Sequence, residues 1–204
     1  TEITIADIIG RLFRISFSGE LAYEINMAPS HMLRVWEALL EAGADLDLIP
    51  YGSEAMNILR IEKGHVVGGE LNGRVTAADL GFGKMASTKK SYIGQVMAKR
   101  DGLICKDRLQ LIGLIPKDGR TPIPRGAQLV DNIDTKSPIT MAGEITSQCM
   151  SPNLGHPIAL GLLRGGRERH GETLQAHSPL TSQTVTVKVT SPIFIDPEGK
   201  RLRG

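Results

Sequence analysis

Apolar and polar residues alternate on both sides of Ser18-Gly19-Glu20. Phe13, Ile15 and Phe17 share one face before it, and Leu21, Tyr23 and Ile25 share one face after it. Alternation with period two around a short glycine-containing turn predicts a β-hairpin. Glu24 lies between Tyr23 and Ile25, so it points to the opposite face, either solvated or aimed at a ligand. Residues 1–10 are weakly patterned and read as an extended lead-in.

The period then lengthens. Met32, Leu33, Val35, Trp36, Leu39 and Leu40 form a stripe at helical spacing, with Ser30 placed as N-cap and Gly43 as stop. Trp36 is expected in the core. A second helix is predicted over residues 54–63, with Met56, Leu59 and either Ala55 or Ile58 inward and Gly64 ending it. Arg60 sits near its C-terminal end, where a cation suits the helix dipole and caps free carbonyls. The glycine-rich run 66–73 has neither Walker nor G-x-G-x-x-G spacing, so it does not read as a phosphate loop. Thr76-Ala77-Ala78-Asp79 has capping-box spacing with Asp in the usual Glu position. Ser91 is placed as the cap of a helix over 92–100, with Ile93, Val96 and Met97 inward.

Beyond residues 101–106 helical spacing disappears. Short runs at 109–115, 128–130, 141–147, 158–163, 173–176 and 184–190 read as strands, separated by glycine and proline turn signals. Many short strands at close spacing predict a small β-barrel or sandwich. The fold class is therefore α+β, with a domain over 1–104 and an all-β domain over 105–204.

Composition narrows the function classes. The chain has 204 residues, 41% hydrophobic and 23% charged, which is ordinary for a globular protein. A net charge of +2 and 4% aromatics give no prior for nucleic acid as a partner. No apolar run is long enough for a membrane span, and no membrane partner is expected. Cys105 and Cys149 match neither a metal motif nor a disulfide framework, which fits a reducing, cytoplasmic compartment. The five histidines are scattered and no metal site is expected. There is no G-x-S-x-G elbow, and neither cysteine has a nearby histidine to activate it. The basic run 164–170 reads as a solvated loop between strands. Glu24 and Arg60 remain as candidates. A carboxylate can accept two N–H groups from a heterocycle, and an arginine can pair with a carboxylate tail or position the glutamate.

The run Phe17-Ser18-Gly19-Glu20-Leu21-Ala22-Tyr23-Glu24-Ile25 resembles the tyrosine–threonine–glycine–glutamate segment of the glycine-cleavage T-protein (aminomethyltransferase) family. Leu59-Arg60-Ile61-Glu62-Lys63-Gly64 resembles that family's leucine–arginine–leucine–glutamate–alanine–glycine helix end. Thr76 to Phe82, Ser91-Tyr92-Ile93-Gly94 and Gly143 to Leu160 resemble later family segments, so the likeness runs from about Leu12 to the end. The resemblance implies a folate-binding aminomethyltransferase-like domain, truncated at its start, followed by a small C-terminal barrel. It implies tetrahydrofolate as ligand, with Glu24 on the pterin, Arg60 in the same pocket and Phe17 beside them. Phe17 stands where the family has tyrosine, and Gly68 where an aromatic residue often follows the arginine. The family's catalytic aspartate lies upstream of the matched region, so no catalytic residue is expected in this chain.

Within the family, the runs 14–22, 51–55, 62–64 and 196–201 are similar to the alpha-subunit branch of heterotetrameric sarcosine oxidases. That resemblance implies oxidative demethylation of sarcosine to glycine, transfer of the one-carbon unit to tetrahydrofolate and release of hydrogen peroxide by the complete enzyme. It also implies FAD, FMN and NAD elsewhere in that enzyme, the other oxidase subunits as partners, and no activity from this chain alone. A free-standing aminomethyltransferase, the folate domain of a dimethylglycine dehydrogenase, and a non-catalytic scaffold that docks other subunits remain as alternatives.

Overall fold

The computed structural model describes residues 1–133 and 138–204. By packing, the chain divides into two units, Thr1–Leu59 with Glu198–Gly204, and Arg60–Pro197. The sequence-based boundary at 104 follows a change of pattern. The packing division falls earlier, inside the second helix.

The first unit carries a three-stranded antiparallel sheet of β1 (Glu2–Ile5), β2 (Ile8–Phe13) and β3 (Glu24–Asn26). The lead-in is thus a hairpin, closed by Ala6 and Asp7 with Ile5 opposite Ile8. Both turn residues have positive φ, 49° and 63°, as a primed two-residue turn requires. Neither is glycine, so the turn left no sequence signal. The expected tight hairpin at Ser18-Gly19-Glu20 is a longer excursion: β2 pairs with β3 as Phe13 opposite Glu24, with residues 14–23 looped between. Serine hydroxyls explain the loop. Ser16 Oγ accepts the Gly19 N–H at 3.0 Å and Ser18 Oγ that of Glu20 at 3.4 Å, taking backbone donors that a ladder would need.

Helix α1 (Met32–Ala42) follows a 3-10 turn at Pro29–His31, and no side chain caps either start. Ser30 therefore does not act as the expected cap. Only Val35 of the apolar stripe is buried, and Trp36 is 51% exposed, not in a core. Trp36, Leu39 and Leu40 line an open hollow of about 270 Å³ with Leu48, Ile49, Pro50 and Tyr51. At the C-terminal end of the first unit, helix α4 (Lys200–Arg203) meets the 14–23 loop. Arg14 donates to the Arg203 carbonyl at 2.6 Å, and Arg201 pairs with Glu20 at 3.0 Å.

Helix α2 (Ser53–Lys63) ends as predicted at Gly64, whose φ is +76°. The predicted helix over 92–100 does not form. Gly94 has φ +90°, and the segment breaks into a 3-10 turn at Met97–Lys99 and the short α3 (Asp101–Ile104). Ile93, Val96 and Met97 are exposed.

The second unit is built on a closed antiparallel barrel. Its strands are β4 (Leu109–Pro116), β5 (Gln128–Val130), β6 (Gly143–Ser151), β7 (His156–Arg164), β8 (Thr173–His177) and β9 (Thr184–Thr190), ordered β4-β7-β6-β5-β8-β9. All six strands overlap the runs predicted as strands, and the barrel is the outcome of the barrel-or-sandwich choice. Val185, Val187 and Val189 on β9 fill the interior with Leu174 and Ala176 on β8 and Leu129 on β5, as period-two alternation in a closed sheet dictates. Strand β7 is buried on both faces along 157–163, because other parts of the same unit cover its outer side.

Candidate functional site

The three sequence candidates divide between the units: Glu24 and Phe17 in the first, Arg60 in the second. Glu24 opens β3 and is exposed, and Phe17 is half-buried in the 14–23 loop.

Arg60 is buried in the last turn of α2, and its guanidinium is held from several sides. Nη1 donates to the His65 carbonyl at 3.2 Å, satisfying a carbonyl just past the helix end, and to Glu70 Oε2 at 3.3 Å. Nη2 donates to Ser147 Oγ at 2.7 Å. Burial pulls the guanidinium pKa below its ordinary value, against the opposing pull of Glu70.

Glu70 is fully buried and accepts four hydrogen bonds. Besides Arg60, Oε2 takes the Val67 N–H at 2.9 Å. Oε1 takes the hydroxyls of Thr146 at 2.5 Å and Ser147 at 2.6 Å. Consecutive residues of a regular strand point to opposite faces, so two neighbouring hydroxyls cannot normally reach one carboxylate. Here they do because β6 is irregular. Ile145 lies opposite Gly161 but Ser147 lies opposite Leu160, which leaves Thr146 as an extra residue. A bulge of one residue reverses the face of everything after it. Ile145 belongs to the barrel interior. Ser147, Cys149 and Ser151 therefore form a period-two row on the outer side.

The same row receives the rest of the helix end. Ser151 Oγ donates to Glu62 Oε1 at 2.5 Å and Asn153 Nδ2 to Oε2 at 2.7 Å. The N–H groups of Phe194 and Ile195 donate to the Glu62 carbonyl at 2.9 and 3.0 Å. Lys63 pairs with Asp196 at 2.9 Å. A β-carbon on Gly64 would come within 2.5 Å of the Pro192 oxygen, so this close approach excludes any other residue. Cys149, between the two serines, has its thiol pushed up to about 11 by burial, with a further push from Glu62.

The capping-box reading of 76–79 holds. Asp79 Oδ2 accepts from the Thr76 N–H at 2.8 Å, and Thr76 Oγ1 accepts the Asp79 N–H at 3.2 Å. The same carboxylate also binds Arg108, at 2.8 Å from Nη2.

Sequence reasoning missed Glu70, Thr146 and Ser147. Their signals were the one charged residue in the glycine-rich run 66–73, and two adjacent hydroxyl residues interrupting an alternating strand. Among the described residues no buried side-chain nitrogen or oxygen lacks a hydrogen-bond partner, and no group of three or more His, Cys, Asp and Glu could hold a metal ion. Among the described residues no helix is long and apolar enough to cross a membrane.

Comparisons with known proteins agree with this architecture. Residues 1–90 match the GCVT N-terminal domain, and residues 110–196 match the glycine cleavage T-protein C-terminal barrel domain. The chain is 43% identical over 95% of its length to the sarcosine oxidase subunit alpha of Rhizobium meliloti, covering 20% of that protein. It is 36% identical to the aminomethyltransferase of Halothermothrix orenii, over 79% of this chain and 43% of that one. The glycine cleavage system aminomethyltransferase T of Bartonella henselae shares the fold, with a TM-score of 0.71 at 21% identity over 93% of this chain and 50% of that one. The chain thus spans about a fifth of the length of the sarcosine oxidase subunits it matches. With both domain matches in sequence order, a barrel of the matching position and this shared fold, the chain belongs to the glycine-cleavage T-protein (aminomethyltransferase) family.

Proposed function

We propose that this chain is the tetrahydrofolate-binding portion of a sarcosine oxidase alpha subunit. The observation that carries this reading is the 43% identity to such a subunit across 95% of the chain. In this proposal the full protein, with FAD, FMN and NAD held elsewhere and other subunits as partners, oxidises sarcosine and releases hydrogen peroxide. The one-carbon unit then passes to the folate amine, which this chain holds in place; such positioning is a proximity effect. Glu24 accepts N–H groups of the pterin, a planar match for a carboxylate. Phe17 supplies apolar contact, and Arg60 supplies the fixed cation. The 204-residue chain alone releases no peroxide from sarcosine in this account.

Calorimetric titration of tetrahydrofolate into the full-length protein tests the reading. Micromolar or tighter binding is expected. No binding at millimolar ligand sinks it and favours the second reading, a subunit-docking scaffold that has lost the ligand. The substitutions at Phe17 and Gly68, which remove aromatic or hydroxyl groups common in the family, are what favour that alternative. A free-standing aminomethyltransferase or a dimethylglycine dehydrogenase domain predicts folate binding too, but without peroxide release from sarcosine by the full protein.

A further inference from the structure

We propose that residues 83–106 are the docking surface for an acidic protein partner, another subunit of the oxidase to which this chain is assigned above. The proposal rests on that assignment.

Three observations lead to it. The segment is almost entirely unburied. From Gly83 to Lys106 only Ser87, Gln95 and Leu103 are even half-buried, although the unit that carries them holds nearly all the fully buried apolar side chains. Met85 is 80% exposed and Val96 81%, and Ile93 and Ile104 are exposed too. Ile93, Val96 and Met97 keep the spacing of an inward helical face, but Gly94 at φ +90° breaks the helix that would have used it. Exposed apolar groups set among charges mark interaction sites.

Charge is concentrated in the same place. Lys84, Lys89, Lys90, Lys99, Arg100 and Lys106 stand against one acid of the segment, Asp101. The whole chain carries only +2, so the remainder of it is net acidic. Lys106 pairs with Glu168 at 3.1 Å. Among the described residues the other cations of the segment form no ion pair.

The segment is also held as a loop with its ends tied together. The Phe82 N–H donates to the Ala77 carbonyl at 2.8 Å just before it. Arg108, just after it, donates to the Gly102 carbonyl at 3.1 Å and to Asp79 at 2.8 Å. The Asp79–Arg108 pair thus closes the stem, and the loop is presented without a core of its own. Loops built in this way are frequently functional.

The chemistry selects the partner. Cations around exposed apolar side chains suit a protein interface, where complementary charge steers the encounter and apolar contact holds it. The segment is as long as the roughly 20–30 residues that each side of a standard interface supplies. A single-stranded nucleic acid needs aromatic platforms, and Tyr92 is the one aromatic residue here. A membrane surface is bound by an amphipathic helix, and α3 spans only Asp101–Ile104. A second copy presenting the same segment would meet like charge, which costs affinity.

The experiment measures binding of the full-length protein to the purified remaining subunits of the oxidase by interferometry. Tm and tetrahydrofolate Kd are measured alongside. Lys89→Glu/Lys90→Glu should weaken assembly about tenfold at low ionic strength, with a smaller deficit at high salt, where exposed charges are screened. Lys117→Glu/Lys188→Glu changes the net charge equally at exposed cations outside the segment and should leave assembly unchanged. Ile93→Ser/Val96→Ser should weaken assembly at low and high salt alike. Wild-type assembly in Lys89→Glu/Lys90→Glu overturns the proposal. So does an equal loss in Lys117→Glu/Lys188→Glu, which would report net charge and not a site. A lower Tm of Lys89→Glu/Lys90→Glu in the full-length protein alone shows that the same polypeptide covers the segment, and overturns it as well. So does binding of the wild-type protein to anionic phospholipid vesicles in preference to the subunits. Tetrahydrofolate Kd should be the same in wild type and all three variants. A wild-type protein that binds neither folate nor the subunits defeats the oxidase assignment. Folate binding with wild-type assembly in every variant defeats this proposal alone.

Discussion

Asp79 shows how far one carboxylate can be tuned by its neighbours. Burial pushes its pKa up, but hydrogen bonds from Arg108 and Thr76 outweigh burial and hold it below the usual carboxylate value. The folded pKa lies below the unfolded one, so the stabilisation is present above the unfolded value of about 3.9 and is lost as pH falls through the folded value. Asp79→Asn should therefore cost about 2 kcal/mol at neutral pH, as for a charged hydrogen bond. The difference from wild type should vanish in acid. Urea melts at neutral and acid pH measure it, and a difference that persists unchanged in acid would refute the assignment. The cysteines give a second residue-level test. Cys105 is exposed, whereas Cys149 is buried with its thiol pushed up to about 11. The thiolate is the reactive form, so iodoacetamide at neutral pH should label Cys105 in the native protein and Cys149 only after denaturation. Rapid native labelling of Cys149 by mass spectrometry would contradict its burial. Thr76 and Asp79 were legible in sequence because a cap has fixed spacing. Glu70 was not, because its partners arrive from a strand 76 and 77 residues away.

Elements were read well where periodicity alone decides them and badly where backbone chemistry intervenes. Strand β9 alternates because one face fills the interior, while β7 is continuously apolar because it is buried on both faces, and both patterns survive in the sequence. The bulge in β6 does not, because its cause is a tertiary cluster and not a local preference. The first hairpin was missed because Ala6 and Asp7 take positive φ without glycine. The predicted turn at 18–20 went to serine-to-backbone bonds instead. The apolar stripe of α1 was read correctly as a helix, and its Trp36 wrongly as core. The end of α2 carries its own prediction. Gly64 combines positive φ with a backbone oxygen 2.5 Å from where a β-carbon would sit. Gly64→Ala should destabilise the protein by about 1–3 kcal/mol, seen as a lower midpoint in denaturant. An unchanged midpoint would show that this close approach is not maintained in solution.

At the scale of the whole molecule, burial is uneven. Nearly all fully buried apolar side chains lie in the second unit, and the first contributes only Ile8 and Val35 among the described residues. Protection from hydrogen exchange follows buried apolar packing. Amides of β7 and β9 should therefore exchange far more slowly than those of β1, β2 and β3. The reverse order would contradict this division of the core. The family resemblance was legible because two motifs, around Glu24 and around Arg60, keep their order and spacing. What each residue does was not, since sequence gave Arg60 no partner and the structure gives it Glu70 and Ser147. The central claim is that this family member binds tetrahydrofolate through Glu24. Its most direct test is calorimetry of tetrahydrofolate with the full-length protein and its Glu24→Gln variant. The account predicts that the variant binds about tenfold or more weakly, the cost of a lost charged hydrogen bond. Equal affinity of the two proteins would contradict it.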